Sequence, residues 1–269
     1  MLYLTRILNY YRVKDWFYHL GFIYLGMVYI NASYRISLNE IVIGFIMGSL
    51  YLGGGYSYNK LCDTGGMDKL KVFFSLGCHV VFLLLGTYYL KESNAFFIIA
   101  IFSNIFYSHP KYSLKKMHNL RVVLNGYFFG LLFLMGCLIP FGRLNKEICL
   151  MTAFFILIMY SYEIIHEISH FENDRVDYSL ALAKKYIRQV YLLQFLCLIV
   201  ACLLYYLLKL SVLFIISSLL FNTAFFCIVL YLGKLKELKI VLISRVRVIL
   251  RYLGFVYGLL LGLSFVSWM

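Results

Sequence analysis

The chain reads as an all-α polytopic membrane protein of about nine transmembrane helices, and three features of its 269 residues carry that reading. Hydrophobic residues make up 63% of it and charged residues only 14%, with a mean hydropathy of +0.84; an ordinary soluble domain carries about 25% charged residues. The apolar residues gather into nine runs separated by short polar stretches. The basic residues, in turn, fall almost entirely into alternate stretches. Too few polar side chains remain to cover a soluble globule, and the same composition excludes a disordered chain, a collagen and a secreted disulfide scaffold.

A helix needs roughly 20 apolar residues to cross a bilayer. The first run, 16–34, follows Arg6, Arg12 and Lys14, which interrupt the N-terminal segment and leave no signal-peptide pattern. The second, 37–57, begins just past Arg35 and leads into Asn59 and Asp63. The third and fourth, 71–90 and 94–109, flank Lys91. The fourth is short and is expected to break at Pro110, one of two prolines, because a proline ring and its missing N–H end a helix. The fifth and sixth, 122–141 and 148–165, flank Arg143 and Lys146. The seventh and eighth, 187–208 and 211–232, meet at Lys209. The ninth, 249–268, follows the basic connection from Lys234 to Arg251.

With the N-terminus in the cytoplasm, only Arg35, Lys91, Arg143, Lys146 and Lys209 of the 25 Lys and Arg residues fall on the far side. That asymmetry predicts a cytoplasmic N-terminus and a C-terminus on the opposite face. The net charge of +13 therefore reads first as topology. Its second reading is an electropositive cytoplasmic surface suited to anionic membrane lipids or a phosphorylated substrate. No basic helix or nucleic-acid motif is present, so nucleic acid is not an expected partner. The seven cysteines show no CxxC pairing and sit mostly in apolar runs, as small buried hydrophobes do.

The acids are the informative minority. They gather in two patches on the basic side, one after the second run (Asp63, Asp68) and one ending the sixth (Glu163 to Asp177). Ionisable groups near membrane depth are costly and point to function. Asn59 and Asp63 are four residues apart, on one face of a helix; Glu163, Glu167, His170 and Asp174 keep to one face in the same way. The two segments also resemble each other: Tyr56-Ser57-Tyr58-Asn59 with Asp63 against Tyr160-Ser161-Tyr162-Glu163 with Glu167. Such a likeness predicts a single domain of two related halves, about 1–120 and 121–269, facing each other across a cavity. Two patches of hard oxygen donors suit Mg²⁺, which takes a few carboxylates, waters and substrate phosphates. A third segment, Tyr107 to Lys116, adds Lys115 and Lys116 as point charges for phosphate oxygens.

These motifs resemble those of the UbiA superfamily of intramembrane prenyltransferases, over essentially the whole chain. Asn59 and Asp63 match the first and fourth-on positions of the family's N-D-x-x-D-x-x-x-D motif, with Asp68 one residue late and Lys60 in place of its second residue. Glu167 and His170 stand where the second motif, D-x-x-D-x-x-x-D, has aspartates, and Asp174-Arg175 matches its G-D-R ending. Tyr107-Ser108 with Pro110, Leu114 and Lys115 resembles Y-S-x-P-x-x-x-L-K. Arg12 and Trp16 resemble the N-terminal R-x-x-x-W. The R-T-x-R-P tail of the first motif is absent.

The resemblance implies nine helices around a central cavity and Mg²⁺-dependent transfer from an allylic prenyl diphosphate to an aromatic, quinone-precursor or lipid acceptor. It implies metal ligands among Asn59, Asp63, Asp68, Glu167, His170 and Asp174. The diphosphate would contact Arg12, Asn59, Tyr107, Lys115, Lys116 and Arg175. Three other readings stay open. A terpene cyclase of the same family would capture the cation internally, and a non-catalytic member would keep only the fold. His166-Glu167-Ile168-Ser169-His170 is a literal H-E-x-x-H, which on a helix suits a zinc protease. That last reading leaves Asn59, Asp63 and the Tyr107 segment without a role.

Overall fold

The computed structural model describes residues 11–64, 69–109, 111–112, 118–168, 180–234 and 240–267. A helical turn (Val13–Trp16) and a 3-10 turn (Phe17–His19) lead into α1 (Leu20–Asn31). There follow α2 (Leu38–Thr64), α3 (Lys69–Tyr89), α4 (Asn94–Ser108), α5 (His118–Phe141), α6 (Lys146–Ile168), α7 (Leu180–Leu208), α8 (Val212–Lys234) and α9 (Ile240–Val266). No strand occurs among the described residues. Each helix takes up one of the nine apolar runs. Seven are long and apolar enough to cross a bilayer by themselves; α1, with 12 residues, and α4, with 15, are the short ones. The chain is an integral, multi-pass membrane protein by these helices.

The helices outrun the apolar stretches mainly at one end of the bundle. Helix α2 continues to Thr64, α6 to Ile168, and α5, α7 and α9 start at His118, Leu180 and Ile240, several residues outside the runs. Apolar side chains are required only where the helix meets hydrocarbon. Once nucleated, the helix adds a hydrogen bond for each further residue fixed and so continues into polar surroundings. At the other end the chain turns tightly. Ala32, Lys91, Gly142 and Lys209 follow α1, α3, α5 and α7, each with a positive φ, the usual left-handed stop of a helix. Ser37 and Glu40 cap α2 there reciprocally: Ser37 Oγ accepts from the Glu40 amide at 3.2 Å, and the Ser37 amide donates to Glu40 Oε2 at 2.9 Å. Asn145 Oδ1 caps α6 by accepting from the Ile148 amide at 2.8 Å. Helix α4 stops at Ser108 with His109 extended (φ −61°, ψ 129°), the conformation that a following proline demands.

Helices α5 and α6 form the hub. In their most apolar windows 78% of α5 and 61% of α6 is buried, against 28% for α3 and α7. Helix α5 packs against both α1 and α6, and α9 returns to pack on α1, α6 and α8. What lets α5 and α6 approach is a Gly-x-x-x-Gly face, Gly126 and Gly130. A Cβ added at Gly126 would stand 3.0 Å from Tyr160 Cα, and one at Gly130 2.8 Å from Ile156 Cα. Backbone therefore lies almost on backbone, and the register of the two antiparallel helices is set.

Candidate functional site

That register carries straight into the polar end of the pair. Directly before Gly126, Asn125 Nδ2 donates to Glu163 Oε2 at 3.2 Å. A further turn on, the Arg121 guanidinium forms an ion pair with Glu167. Residues four apart on α5 thus meet residues four apart on α6, rung by rung. Arg121, Glu163 and Glu167 are 8%, 4% and 6% exposed, so the charges are buried but matched, as the membrane interior demands. Glu163 is also 3.3 Å from His166 Nδ1.

The end of α2 closes on the same place. Ser108 Oγ, at the end of α4, donates to Asn59 Oδ1 at 3.1 Å. Asp63, one turn further along α2, is exposed. Tyr107 bridges the two sides: it hydrogen-bonds Asn125 and lies within electrostatic reach of Arg121, Glu163 and Asp63. The end of α4, through Ser108 and Tyr107, therefore lies between the α2 motif and the α6 motif.

Arginines and rings complete the rim. Arg12, in a left-handed conformation before the first helical turn, stands over the Tyr56 ring at 5.4 Å, within cation–π range. Trp16 is 2% exposed and its Nε1 donates to the Tyr11 carbonyl at 2.7 Å, which ties the turn carrying Arg12 to the bundle. From α9, Arg251 Nε donates to the Tyr162 hydroxyl at 3.0 Å and its Cζ lies 5.0 Å from the Tyr18 ring centre. His19 stacks on Phe129 at 4.2 Å and acts as a packing ring, as its apolar surroundings in the sequence suggest.

Of the sequence-derived candidates, Asn59, Asp63, Tyr107, Arg12 and Glu167 are gathered here. Asp68, Pro110, Lys115, Lys116, His170, Asp174 and Arg175 lie outside the described residues. Sequence reasoning missed Arg121 and Asn125. It counted Arg121 only as a topological charge, although Arg121 and Asn125 have the same four-residue spacing as Glu163 and Glu167 and so mark a complementary face. Glu163 belongs to that periodic face but was not singled out, and Arg251 was counted only as the end of the basic connection before the ninth run.

Among the described residues no three His, Cys, Asp or Glu side chains are grouped to hold a metal ion. Asn59 and Asp63 supply two hard oxygen donors on one helix face, which fits Mg²⁺ in kind. Glu167 instead faces a guanidinium. The same contact bears on the H-E-x-x-H reading, since a protease needs that glutamate as a base and here it sits against Arg121.

No protein-family model matches the sequence, and no curated protein matches it. Solved structures do match in fold. A digeranylgeranylglyceryl phosphate synthase structure superposes with a TM-score of 0.78 at 19% identity, over 99% of this chain and 100% of that one. A UbiA homologue from Archaeoglobus fulgidus bound to DMAPP and Mg²⁺ gives 0.70 at 15% identity, over 98% and 99% of the two chains. The same homologue bound to GPP and Mg²⁺ gives 0.67 at 15%, over 97% and 99%. The chain shares the UbiA fold along almost its entire length.

Proposed function

We propose that this protein is a membrane prenyltransferase of the UbiA superfamily. It takes an allylic prenyl diphosphate and transfers the prenyl group to a hydrophobic or aromatic acceptor. The observation that carries the reading is that Asn59 and Asp63 on α2 lie at the same end of the bundle as Glu163 and Glu167 on α6, with Ser108 and Tyr107 of α4 between them. It supports the reading because the fold is one whose solved homologues hold DMAPP or GPP together with Mg²⁺.

In this reading Asn59 and Asp63 hold Mg²⁺ from the α2 side, and Asp68, His170 and Asp174 are the further donors. When bound, the ion neutralises diphosphate oxygens and stabilises pyrophosphate as a leaving group. Arg12, Lys115, Lys116 and Arg175 bind the remaining diphosphate oxygens, and Tyr107, placed between the two motifs, positions the diphosphate against both. The bond from the prenyl carbon to the diphosphate oxygen breaks with its electron pair on oxygen. The allylic cation is then captured by an acceptor carbon or heteroatom, which sheds a proton. The apolar bundle beyond the polar end keeps water from that cation. The basic end faces the cytoplasm by the distribution of Lys and Arg.

Pyrophosphate release by detergent-purified protein tests this. Ten-, fifteen- and twenty-carbon prenyl diphosphates are offered with Mg²⁺, with and without aromatic and lipid acceptors, and Asp63→Ala serves as control. Release by the wild type that depends on an acceptor, and is lost in Asp63→Ala, is the expected result. Release without any acceptor would replace transfer by cyclisation. No release by folded protein with any donor would overturn the proposal.

A further inference from the structure

We propose that Arg121 is a diphosphate-binding residue and that Glu167 is its anchor and not a metal ligand, so that the α6 side of the site meets the anionic substrate with a guanidinium. The inference rests on the diphosphate reading above and names how one half of that site works.

Three observations converge on it. Arg121 and Glu167 form an ion pair in which both side chains are buried. A carboxylate engaged this way has given its charge to the guanidinium, and a divalent cation placed on it would be repelled by Arg121. The pair is also held in place by more than its own attraction. Asn125–Glu163 lies one turn away, and the glycine face of α5 fixes the register behind it. Finally, Arg121 lies on the Tyr107 side of α5: Tyr107 is within electrostatic reach both of Arg121 and of Asp63, the α2 carboxylate. A guanidinium presents five N–H donors in a fixed fork and one carboxylate engages two of them, which suits Arg121 to hold Glu167 and a phosphate oxygen together. The asymmetry between the halves has the same sense: α2 offers Asn59 and an exposed Asp63, whereas α6 offers acids already matched by Arg121, Asn125 and His166.

The test counts metal ions and measures pyrophosphate binding without turnover. Mn²⁺ is the probe, followed by its electron-spin signal, and inorganic pyrophosphate is titrated by calorimetry. Removing Arg121 alone strands a buried carboxylate and endangers folding. Glu167→Gln strands the buried guanidinium in the same way, so its metal count is read only on protein whose thermal midpoint shows it folded; the double change Arg121→Gln with Glu167→Gln leaves no unpaired charge. Glu167→Gln should bind as many Mn²⁺ ions per chain as the wild type. The double variant should keep that number but bind pyrophosphate about tenfold or more weakly, the loss expected of a charge-assisted contact. Loss of a Mn²⁺ ion in Glu167→Gln would make Glu167 a metal ligand and overturn the inference. Unchanged pyrophosphate affinity in the double variant would leave the pair a structural clasp, and would overturn it too. Wild-type protein that binds no pyrophosphate would sink the diphosphate reading itself, an outcome distinct from both.

Discussion

Gly130→Ala is the sharpest probe of how the fold builds the site. The added Cβ would stand 2.8 Å from Ile156 Cα and 3.0 Å from its amide nitrogen, against an optimum of about 3.5–4.0 Å for such contacts. The obstacle is helix backbone, so α5 and α6 must part by about 1 Å. Overpacking of this kind costs about 1–3 kcal/mol. The Asn125–Glu163 hydrogen bond at 3.2 Å has little room to stretch before it is lost. Against this, alanine is favoured over glycine in a helix by about 1 kcal/mol. Gly77 on α3 supplies the control, since an added Cβ there meets nothing within 4 Å and only the propensity gain of about 0.5–1 kcal/mol remains. The two alanines should therefore move the thermal midpoint in detergent in opposite directions: Gly130→Ala down by about 2–6 °C and Gly77→Ala unchanged or slightly up. Pyrophosphate release should fall in the first and persist in the second. A Gly130→Ala protein as stable and as active as the wild type would refute the argument that close α5–α6 approach sets the register of the site.

Asp63→Asn should abolish turnover with a thermal midpoint within about 1 °C of the wild type, because an exposed carboxylate contributes little to packing; a large drop in midpoint would assign Asp63 to structure. Chelation by EDTA should stop pyrophosphate release, with recovery on adding Mg²⁺ and not Zn²⁺; recovery by Zn²⁺ alone would refute the assignment of Mg²⁺ as the working ion. Asn125→Leu removes the donor to a buried Glu163 and should cost about 1–3 kcal/mol by thermal unfolding, whereas an unchanged midpoint would mean that Glu163 finds another partner.

The nine helices were legible because hydrocarbon demands long apolar runs, and the runs locate each crossing to within a few residues. The ends of the helices were less legible for the same reason. Beyond the hydrocarbon nothing obliges a helix to be apolar, so hydropathy falls silent at α2 from 58 to 64 and at α9 from 240 to 248, where site residues begin. Asn59 and Asp63 could be found from their four-residue spacing within one segment. Arg121 could not be told from a loop arginine by composition, since its meaning depends on Glu167, which is distant in sequence and adjacent in space. Asn125 was hidden inside an apolar run as a single polar residue. Gly126 and Gly130, directly beside it, hold the information that was overlooked: a small-residue face inside a spanning helix states where a neighbouring backbone will lie. Once α6 is placed on that face, Asn125 must meet Glu163 and Arg121 must meet Glu167, because both helices repeat every four residues in opposite directions. The polar rungs are thus consequences of the apolar packing beneath them. An arginine in this position cannot leave its carboxylate without leaving a buried charge unpaired, and that constraint holds the guanidinium in one place against α6.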